Sequence, residues 1–345
     1  MKNADIILQD AAITRQINLL RFSAGEKKKV LAILTQLQSD LRLKLLGELT
    51  DFSKARVNKL LKESTAIINS AYQGVQEKFD FPGLAEHEAT ATTRSFAAIG
   101  LDAALPTETA LKALVNGSLI EGAPSSAWWA KNSDDLSFKF AAQVRQGIAG
   151  NETVQQIVRR IIGSPRLGTP GIMETSRRGA TALVHTSIQQ VANDARLATF
   201  KANDDIIKGV TQLSTLDSHT SNVCIAYSGA SWDLEGVPIN GTTLPFNGGT
   251  PRHFNCRSVL TPITKTYRDL GLDIDEIPPG TRASDLGQIP AGTTFEEFLG
   301  RHDKAYADDL LGPGRAQLWR DGKITLQQLV DGTGRELTLK QLRAL

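Results

Sequence analysis

The stretch that decides how this chain folds runs from residue 215 to residue 263. It begins with TLDSHTSNVC (215–224), passes through a loop rich in glycine, and ends with PRHFNCRS (251–258) and VLTPI (259–263). Both cysteines of the chain and two of its five histidines lie in this window. Turn-forming residues are frequent in it, and helical patterns flank it on both sides. We therefore predict a compact module of turns and short strands set between helices.

Four side chains of this module are candidates for one cluster: His219, Cys224, His253 and Cys256. Two imidazoles and two thiols make a ligand set for tetrahedral zinc, although their spacing is not that of a standard zinc finger. A disulfide between the cysteines is a second interpretation, which a reducing cytosol disfavours. The third is purely structural, because a buried cysteine behaves as a small apolar residue. We favour the third, which needs no cofactor, and keep zinc as an alternative.

The same residues also allow an enzymatic interpretation. A cysteine and a histidine form a nucleophile and base when they lie within hydrogen-bond distance. Asp217 and His219 beside Cys224 suggest a cysteine hydrolase, and the same two residues with His253 suggest a nuclease. No oxyanion-forming motif accompanies them, and the sequence has no P-loop, dinucleotide fingerprint, HExxH or Gly-x-Ser-x-Gly motif. We therefore predict that the chain is not an enzyme and has no catalytic residues.

The order of residues in this module resembles the phage Mu F-like, SPP1 gp7-like head morphogenesis proteins, also called minor head proteins. The residues that match the family's motif are Leu216, Asp217, Thr220, Ser221 and Cys224 in the first run and His253, Cys256 and Arg257 in the closing run. The chain departs from the motif at two places. His219 stands where the family usually has arginine, and a longer loop has Ser228-Gly229 in place of Asp-Gly.

The resemblance extends beyond the module, from about residue 144 to the C-terminus. Upstream it includes Asn193-Asp194-Ala195-Arg196 and Asn203, which resemble the end of the family's long helix. Downstream it includes Leu311-Gly312 and Asp321-Gly322-Lys323, which resemble the family's tail. From residue 1 to about residue 82 the sequence is compatible with the family without being specific to it.

The resemblance implies a structural virion component that associates with the portal vertex and assists procapsid assembly. The partners it implies are the portal protein and capsid proteins, with oligomers around the portal, and packaged DNA where family members act in DNA retention or ejection. A toxin-like or hydrolytic effector is the alternative, because the module also precedes toxin domains in related proteins. Here the residues that follow Ile263 resemble the ordinary tail of the family instead.

Composition agrees with a folded protein that is not a dedicated nucleic-acid binder. The hydrophobic fraction is 41% and the charged fraction 22%, and 39 basic residues against 37 acidic ones give a net charge of +2. A nucleic-acid-binding protein usually has a clear basic excess. No apolar run approaches the roughly 20 residues that cross a bilayer, and the N-terminus lacks the apolar core of a signal peptide. We expect the protein in the host cytoplasm during assembly and then in the virion, with no membrane partner.

The rest of the chain is predicted to be helical, which gives an α+β fold, mainly α-helical, with the small turn-rich β module in the C-terminal half. Ser23 and Glu26 have capping-box spacing ahead of an apolar stripe from Val30 to Leu45. A second helix is expected near Ser53 and a later one from Phe295 to Leu311. Thr325 and Thr338 are predicted N-caps of two short final helices. We predict four consecutive regions: an N-terminal helical region (1–83), a helical middle region (84–163), a long helix with the β module (164–265) and a helical tail (266–345).

Within these regions the long helix is expected at about 175–202, with strands at 210–216 and 259–263. Pro262 places the second of these strands at a sheet edge, because proline cannot donate a ladder hydrogen bond. Asn240-Gly241 predicts a hairpin turn. Trp128-Trp129 and Arg177-Arg178 are candidate partner contacts. A core position is the more ordinary role for the tryptophans, and a solvated helix face for the arginines.

Overall fold

The structure is a computed structural model that describes residues 3–49, 52–164, 169–266 and 281–345. Most of it is α-helical, and a small antiparallel sheet lies in the C-terminal half, so the predicted α+β class is confirmed. The helices are α1 (Asn3–Glu48), α2 (Lys54–Gln76), α3 (Phe81–Ala97), α4 (Glu108–Gly117), α5 (Ser125–Ala149), α6 (Val154–Ile162), α7 (Ile172–Lys201), α8 (Asn222–Ala226), α9 (Phe295–Leu299), α10 (Lys304–Leu311), α11 (Pro313–Arg320) and α12 (Leu339–Leu342), with a 3-10 helix at Leu326–Leu329. None of the helices in the described ranges is long and apolar enough to cross a membrane.

The strands in the described part of the chain form three antiparallel sheets. Their bounds are β1 (Gly163–Ser164), β2 (Thr169–Pro170), β3 (Ile207–Leu213), β4 (Ser231–Trp232), β5 (Pro238–Ile239), β6 (Val259–Thr264), β7 (Thr281–Ser284) and β8 (Gly287–Pro290). The largest sheet has the order β5-β4-β3-β6, and β1-β2 and β7-β8 are two-stranded.

The chain divides into two compact units, each assembled from separate stretches of sequence. The first contains Met1–Leu19, Phe81–Gly117 and Gln189–Leu345, and the second contains Leu20–Asp80 and Ser118–Ile188. These units are discontinuous, whereas the sequence analysis predicted four consecutive regions. The difference arises because the two longest helices, α1 and α7, each contribute residues to both units.

Helix α1 continues through Ser23, where the sequence predicted a helix start. Ser23 and Glu26 are both buried. The Ser23 hydroxyl lies 3.3 Å from Nδ1 of His185, and Glu26 pairs with Lys29 at 2.7 Å. The capping-box prediction was therefore wrong, because Ser23 faces the distant His185 and Glu26 pairs with Lys29 within the same helix, so neither side chain serves as a cap. The apolar stripe that follows is confirmed, with Val30, Leu34, Leu37, Leu41 and Leu45 all buried.

The four-stranded sheet belongs to the first unit. Strand β6 lies at its edge, paired with β3 so that Pro262 faces Val210, which confirms the edge position predicted from the proline. Asp5 in the first turn of α1 accepts hydrogen bonds from the backbone N and the hydroxyl of Thr264, both at 2.7 Å. The amide and hydroxyl at the end of this edge strand are thus satisfied by a helix, which limits pairing with another chain.

Two strand predictions need correction. Strand β3 begins and ends three residues earlier than the predicted 210–216. Asn240 and Gly241 adopt the left-handed conformation expected of them, but they follow β5 and do not join β4 to β5. Residues 233–237 make that connection, with the Asp233 carboxylate accepting from the backbone N of Glu235 and Val237.

Helix α7 confirms the long helix predicted at 175–202, and Leu183, Val184, Ile188 and Val191 on its apolar stripe are buried. Some polar residues of this helix are buried as well. Arg196 is buried and pairs with the equally buried Glu88 at 3.0 Å, and Arg15 pairs with the same carboxylate at 2.8 Å. Sequence periodicity cannot show this network, because its members come from three different helices.

The C-terminal tail matches the prediction in part. The helix expected from Phe295 to Leu311 is interrupted after Leu299 and resumes at Lys304, where Asp303 caps α10 through the backbone N of Tyr306. Thr338 caps α12 as predicted, and Thr325 precedes the 3-10 helix.

Candidate functional site

Cys224 is positioned by the short helix α8. The Ser221 hydroxyl caps this helix by accepting a hydrogen bond from the backbone N of Cys224 at 3.3 Å. The Cys224 carbonyl in turn accepts from the hydroxyl of Ser214, just after β3, at 2.7 Å. The cysteine is therefore fixed between the end of a central strand and the start of a helix, with its side chain buried.

His253 and Cys256 are positioned by a tight turn in the loop before β6. The backbone N of Cys256 donates to the carbonyl of His253 at 3.1 Å. Asn255 between them has φ of 63°, a left-handed conformation that asparagine adopts more readily than most residues. The turn directs both side chains toward Cys224.

Three of the four predicted cluster residues come together. The Cys224 sulfur lies 3.3 Å from Nε2 of His253 and 3.6 Å from the sulfur of Cys256. All three potential ligand atoms lie within 4.8 Å of one another. Both cysteines are buried and free, and their sulfurs stand well beyond the ~2.05 Å of a disulfide bond. The disulfide is therefore not formed in this structure.

The contact made by Nδ1 identifies the ring nitrogen of His253 that carries a proton. Nδ1 lies 2.8 Å from the carbonyl oxygen of Phe254, which can only accept, so Nδ1 carries the proton. Nε2 faces the sulfur of Cys224 at 3.3 Å and the hydroxyl of Ser221 at 2.7 Å. The imidazole is thus oriented as an acceptor or a ligand.

The two thiols have different acidities. The hydrogen bond from Cys256 lowers the pKa of the Cys224 thiol to about 6, although burial acts in the opposite direction. Hydrogen bonds from Ser258 and Ser221 and the positive charge of Arg252 contribute to this lowering. Donating the bond to Cys224, together with burial, raises the pKa of Cys256. Cys224 is therefore the more acidic thiol of the pair.

Arg252 is the residue of this site that the sequence analysis did not single out, although it lies next to His253 in the quoted run. Its guanidinium lies 3.4 Å from the centre of the Tyr227 ring, and it donates to the side chain of Gln212 and to the carbonyl of Phe246. Burial lowers the pKa of Arg252 to about 10, so it remains a cation at neutral pH. The only sequence feature that could have identified Arg252 as part of the site is its position directly before His253.

A second group of motif residues joins the two ends of the module. The Arg257 guanidinium donates to both carboxylate oxygens of Asp217, at 2.6 and 2.7 Å. The same carboxylate accepts from the backbone N of His219 at 2.9 Å and from the hydroxyl of Thr220 at 3.2 Å. Thr220 also donates to the carbonyl of Thr215 at 2.5 Å. This ion pair fastens the turn at 215–220 to the loop that carries His253 and Cys256.

His219 does not belong to the cluster, which corrects the predicted four-residue ligand set. Its side chain is exposed, and only Cys224, His253 and Cys256 form a potential metal-binding group among the described residues. The reason is the turn itself, because the backbone N of His219 bonds to the Asp217 carboxylate and its side chain points away from the thiols. The hydrolase and nuclease interpretations that used His219 lose that residue.

The candidate partner contacts lie in the second unit. Trp129 is buried and packs against the rings of Tyr72 and Phe79, so it is a core residue and not a surface anchor. Trp128 is half-buried, and its indole N–H donates to the carbonyl of Ile120 at 2.8 Å.

Of the two arginines, Arg177 donates to side chains of α1, with Thr35 Oγ1 at 3.3 Å and Gln38 Oε1 as its partners. Arg178 is mainly exposed and pairs with Glu174 at 3.3 Å. Of these two arginines, only Arg178 lies on a solvated helix face, which is the more ordinary of the two roles predicted for the pair.

The site thus combines a buried thiol pair, one oriented imidazole and an ion pair that closes the module. Such a set can bind a soft metal ion, supply a nucleophile, or stabilise a small fold without further chemistry. Comparison with known proteins does not choose among these: no protein-family model, no curated protein and no solved structure matches this chain.

Proposed function

We propose that this chain is a phage minor head protein, a structural component of the virion that associates with the portal vertex and aids procapsid assembly. Its partners are the portal protein and capsid proteins, and it is present as several copies around the portal. Contact with packaged DNA during retention or ejection is a further element of the proposal.

The observation that supports this proposal best is that the polar side chains of the motif bond within the protein itself. Asp217 and Arg257 form a bidentate pair, Thr220 donates to a backbone carbonyl, and Ser221 caps α8. Upstream, Asn203 donates to the carbonyl of Ala104 at 2.9 Å. The polar groups of each of these side chains form hydrogen bonds within the fold, as expected of a structural module and not of a substrate site.

The helical part of the chain offers apolar surface for docking. Among the described residues, the large apolar side chains that are exposed in residues 1–163 are Ile17, Phe22, Leu43, Leu46, Phe52, Leu105, Leu119 and Phe138, whereas those after residue 163 are Val237, Leu286 and Leu345. Phe138 and Leu43 are 75% and 68% exposed. Apolar side chains that are exposed singly are ordinary, whereas a contiguous patch of them is typical of a surface that binds a protein partner, and Phe138 and Leu43 are the positions at which we test for such a patch.

The test is binding by the full-length chain, because both units draw on residues from both halves of the sequence. Wild type, Phe138→Asp and Leu43→Asp are tested for co-purification with the portal protein encoded in the same genome and for incorporation into particles. Val237→Asp, at a 56% exposed apolar residue of the β module, is the matched control. We expect both helical variants to lose binding while the control retains it. Absence of portal binding by the wild type would contradict the proposal.

One observation favours a second function, a cysteine hydrolase. The Cys224 thiol has a lowered pKa and lies 3.3 Å from the acceptor nitrogen of His253, as a nucleophile and its base would. Against it, the side chain of Cys224 is only 3% exposed, so a substrate has little access to its sulfur. Hydrolysis of peptide or nucleic-acid substrates by the wild type, lost in Cys224→Ala and retained in His219→Ala, would establish this alternative.

A further inference from the structure

The cluster of Cys224, His253 and Cys256 has the dimensions of a metal site. Zinc binds sulfur at about 2.3 Å and imidazole nitrogen at about 2.0–2.1 Å in tetrahedral geometry. Those bond lengths place two sulfur ligands roughly 3.8 Å apart and a sulfur and a nitrogen ligand roughly 3.5 Å apart. The observed separations are 3.6 Å between the sulfurs and 3.3 Å between Cys224 and Nε2 of His253. Two of the three separations therefore match those of a zinc site, and the third pair of atoms, Cys256 Sγ and His253 Nε2, lies within 4.8 Å.

The surroundings of His253 are those of a metal-bound histidine. A ligating imidazole usually donates its other N–H to a carboxylate or a backbone carbonyl, which fixes the tautomer and the ring orientation. Here Nδ1 donates to the carbonyl of Phe254 at 2.8 Å and leaves Nε2 directed at the thiols. This orientation is independent of the distance argument, and it selects the nitrogen that faces the two sulfurs.

Backbone hydrogen bonds and turns also hold the two cysteine ligands in place. Cys224 is fixed by the cap of α8 and by the bond from Ser214, and Cys256 is fixed by the turn at Asn255. Both cysteines are buried, so the set is built into the fold and does not depend on mobile surface side chains. Two thiols and one imidazole are soft and borderline donors, which favour zinc over magnesium or calcium.

We propose that Cys224, His253 and Cys256 bind one zinc ion, with the fourth coordination position left to a water molecule or to the adjacent Ser221 hydroxyl. Binding releases the remaining thiol protons to solvent and involves no change in oxidation state. The ion would join α8 to the loop before β6, as the Asp217–Arg257 pair joins the neighbouring turn to the same loop. This inference does not rest on the proposed virion role, and a zinc site could be present or absent in a protein of either function.

The experiment uses the full-length protein purified under reducing conditions without chelators. Elemental analysis should give about one zinc ion per chain in the wild type, and Co²⁺ exchanged into the site should give the visible absorption of a tetrahedral ion with a sulfur-to-cobalt charge-transfer band. Cys256→Ser and His253→Gln should lose the zinc and the band. His219→Gln, at the exposed histidine of the same module, is the matched control and should retain both.

A second measurement keeps the proposal testable if the ligand variants fold poorly. A chelator should lower the thermal unfolding temperature of the wild type and of His219→Gln, and added Zn²⁺ should restore it. Wild-type protein that neither contains zinc nor binds it on titration would overturn the proposal. So would equal zinc content in the wild type and in Cys256→Ser, or a Cys224–Cys256 disulfide in protein that lacks zinc.

Discussion

The Asp217–Arg257 ion pair gives the sharpest test of how the β module is held together. Asp217→Asn removes the charge while keeping an oxygen that can still accept from the backbone N of His219 and from Thr220. An exposed ion pair contributes about 0.2–1 kcal/mol, and breaking a buried one costs about 3–5 kcal/mol. The two side chains are 22% and 23% exposed, so we expect the substitution to lower the free energy of unfolding by about 2 kcal/mol, between these limits.

A double-mutant cycle isolates the pair from other effects of each substitution. Urea denaturation of the wild type, Asp217→Asn, Arg257→Gln and the double variant should give a coupling energy of about 1 kcal/mol or more. The exposed pair of Lys131 and Asp135, 60% and 51% exposed at 2.8 Å, is the control. It should give a coupling of about 0.5 kcal/mol or less. A coupling at Asp217–Arg257 no larger than that of the control would refute our account of the module.

The same pair predicts how stability depends on pH. Burial opposes ionisation of Asp217, but the hydrogen bonds and charge of Arg257, with the bonds from His219 and Thr220, outweigh it and lower the pKa of Asp217 below its ordinary value. A lowered folded-state pKa contributes stability above the unfolded pKa of about 4, and this contribution is lost as the pH falls through the folded value. As the pH is lowered from about 6 to about 3, through the unfolded pKa of about 4, the wild type should therefore lose more stability than Asp217→Asn. Parallel losses in the two proteins would contradict this assignment.

The remaining predictions concern the core and are checked by urea denaturation. Glu88→Gln should lower the free energy of unfolding by about 3–5 kcal/mol because it leaves the buried Arg196 and the half-buried Arg15 without their carboxylate. Glu86→Gln, at an exposed position on the same helix, should change it by less than about 0.5 kcal/mol. Gly209→Ala should destabilise by about 1–3 kcal/mol, because the new Cβ would lie 2.3 Å from the carbonyl oxygen of Trp232. Gly25→Ala should stabilise by about 0.5–1 kcal/mol, because Gly25 lies inside continuous helix α1 with no atom within 4 Å of the added Cβ. A destabilised Gly25→Ala would argue against the unbroken helix.

Sequence patterns succeeded where local chemistry decides the structure. The apolar stripes of α1 and α7, the edge position of the strand that contains Pro262, and the cap at Thr338 each depend on residues close together in sequence. The convergence of His253 and Cys256 on Cys224 was also predictable, because the pairs of candidate ligands fall at the two ends of one compact module.

The failures come from contacts between residues far apart in sequence. Ser23 and Glu26 have the spacing of a helix start, but a distant histidine and burial keep α1 continuous. Arg196 is a charged residue that follows Ala195 of the apolar stripe of α7, and it is buried because Glu88 on another helix offers a carboxylate. The failure at His219 is local instead, because its backbone N bonds to the Asp217 carboxylate in a turn that leaves the His219 side chain exposed. The distant partners of Ser23 and Arg196 cannot be identified from one sequence alone.

The central claim, that this chain is a structural part of a phage head, is tested most directly by the protein composition of purified particles. DNA-filled particles and procapsids are isolated from cells that carry the source genome, and the chain is quantified by mass spectrometry against the portal protein. We predict that it is present in both, at a fixed ratio to the portal, and that Phe138→Asp lowers that ratio while Val237→Asp does not. Particles that assemble normally and contain none of the chain would contradict the account.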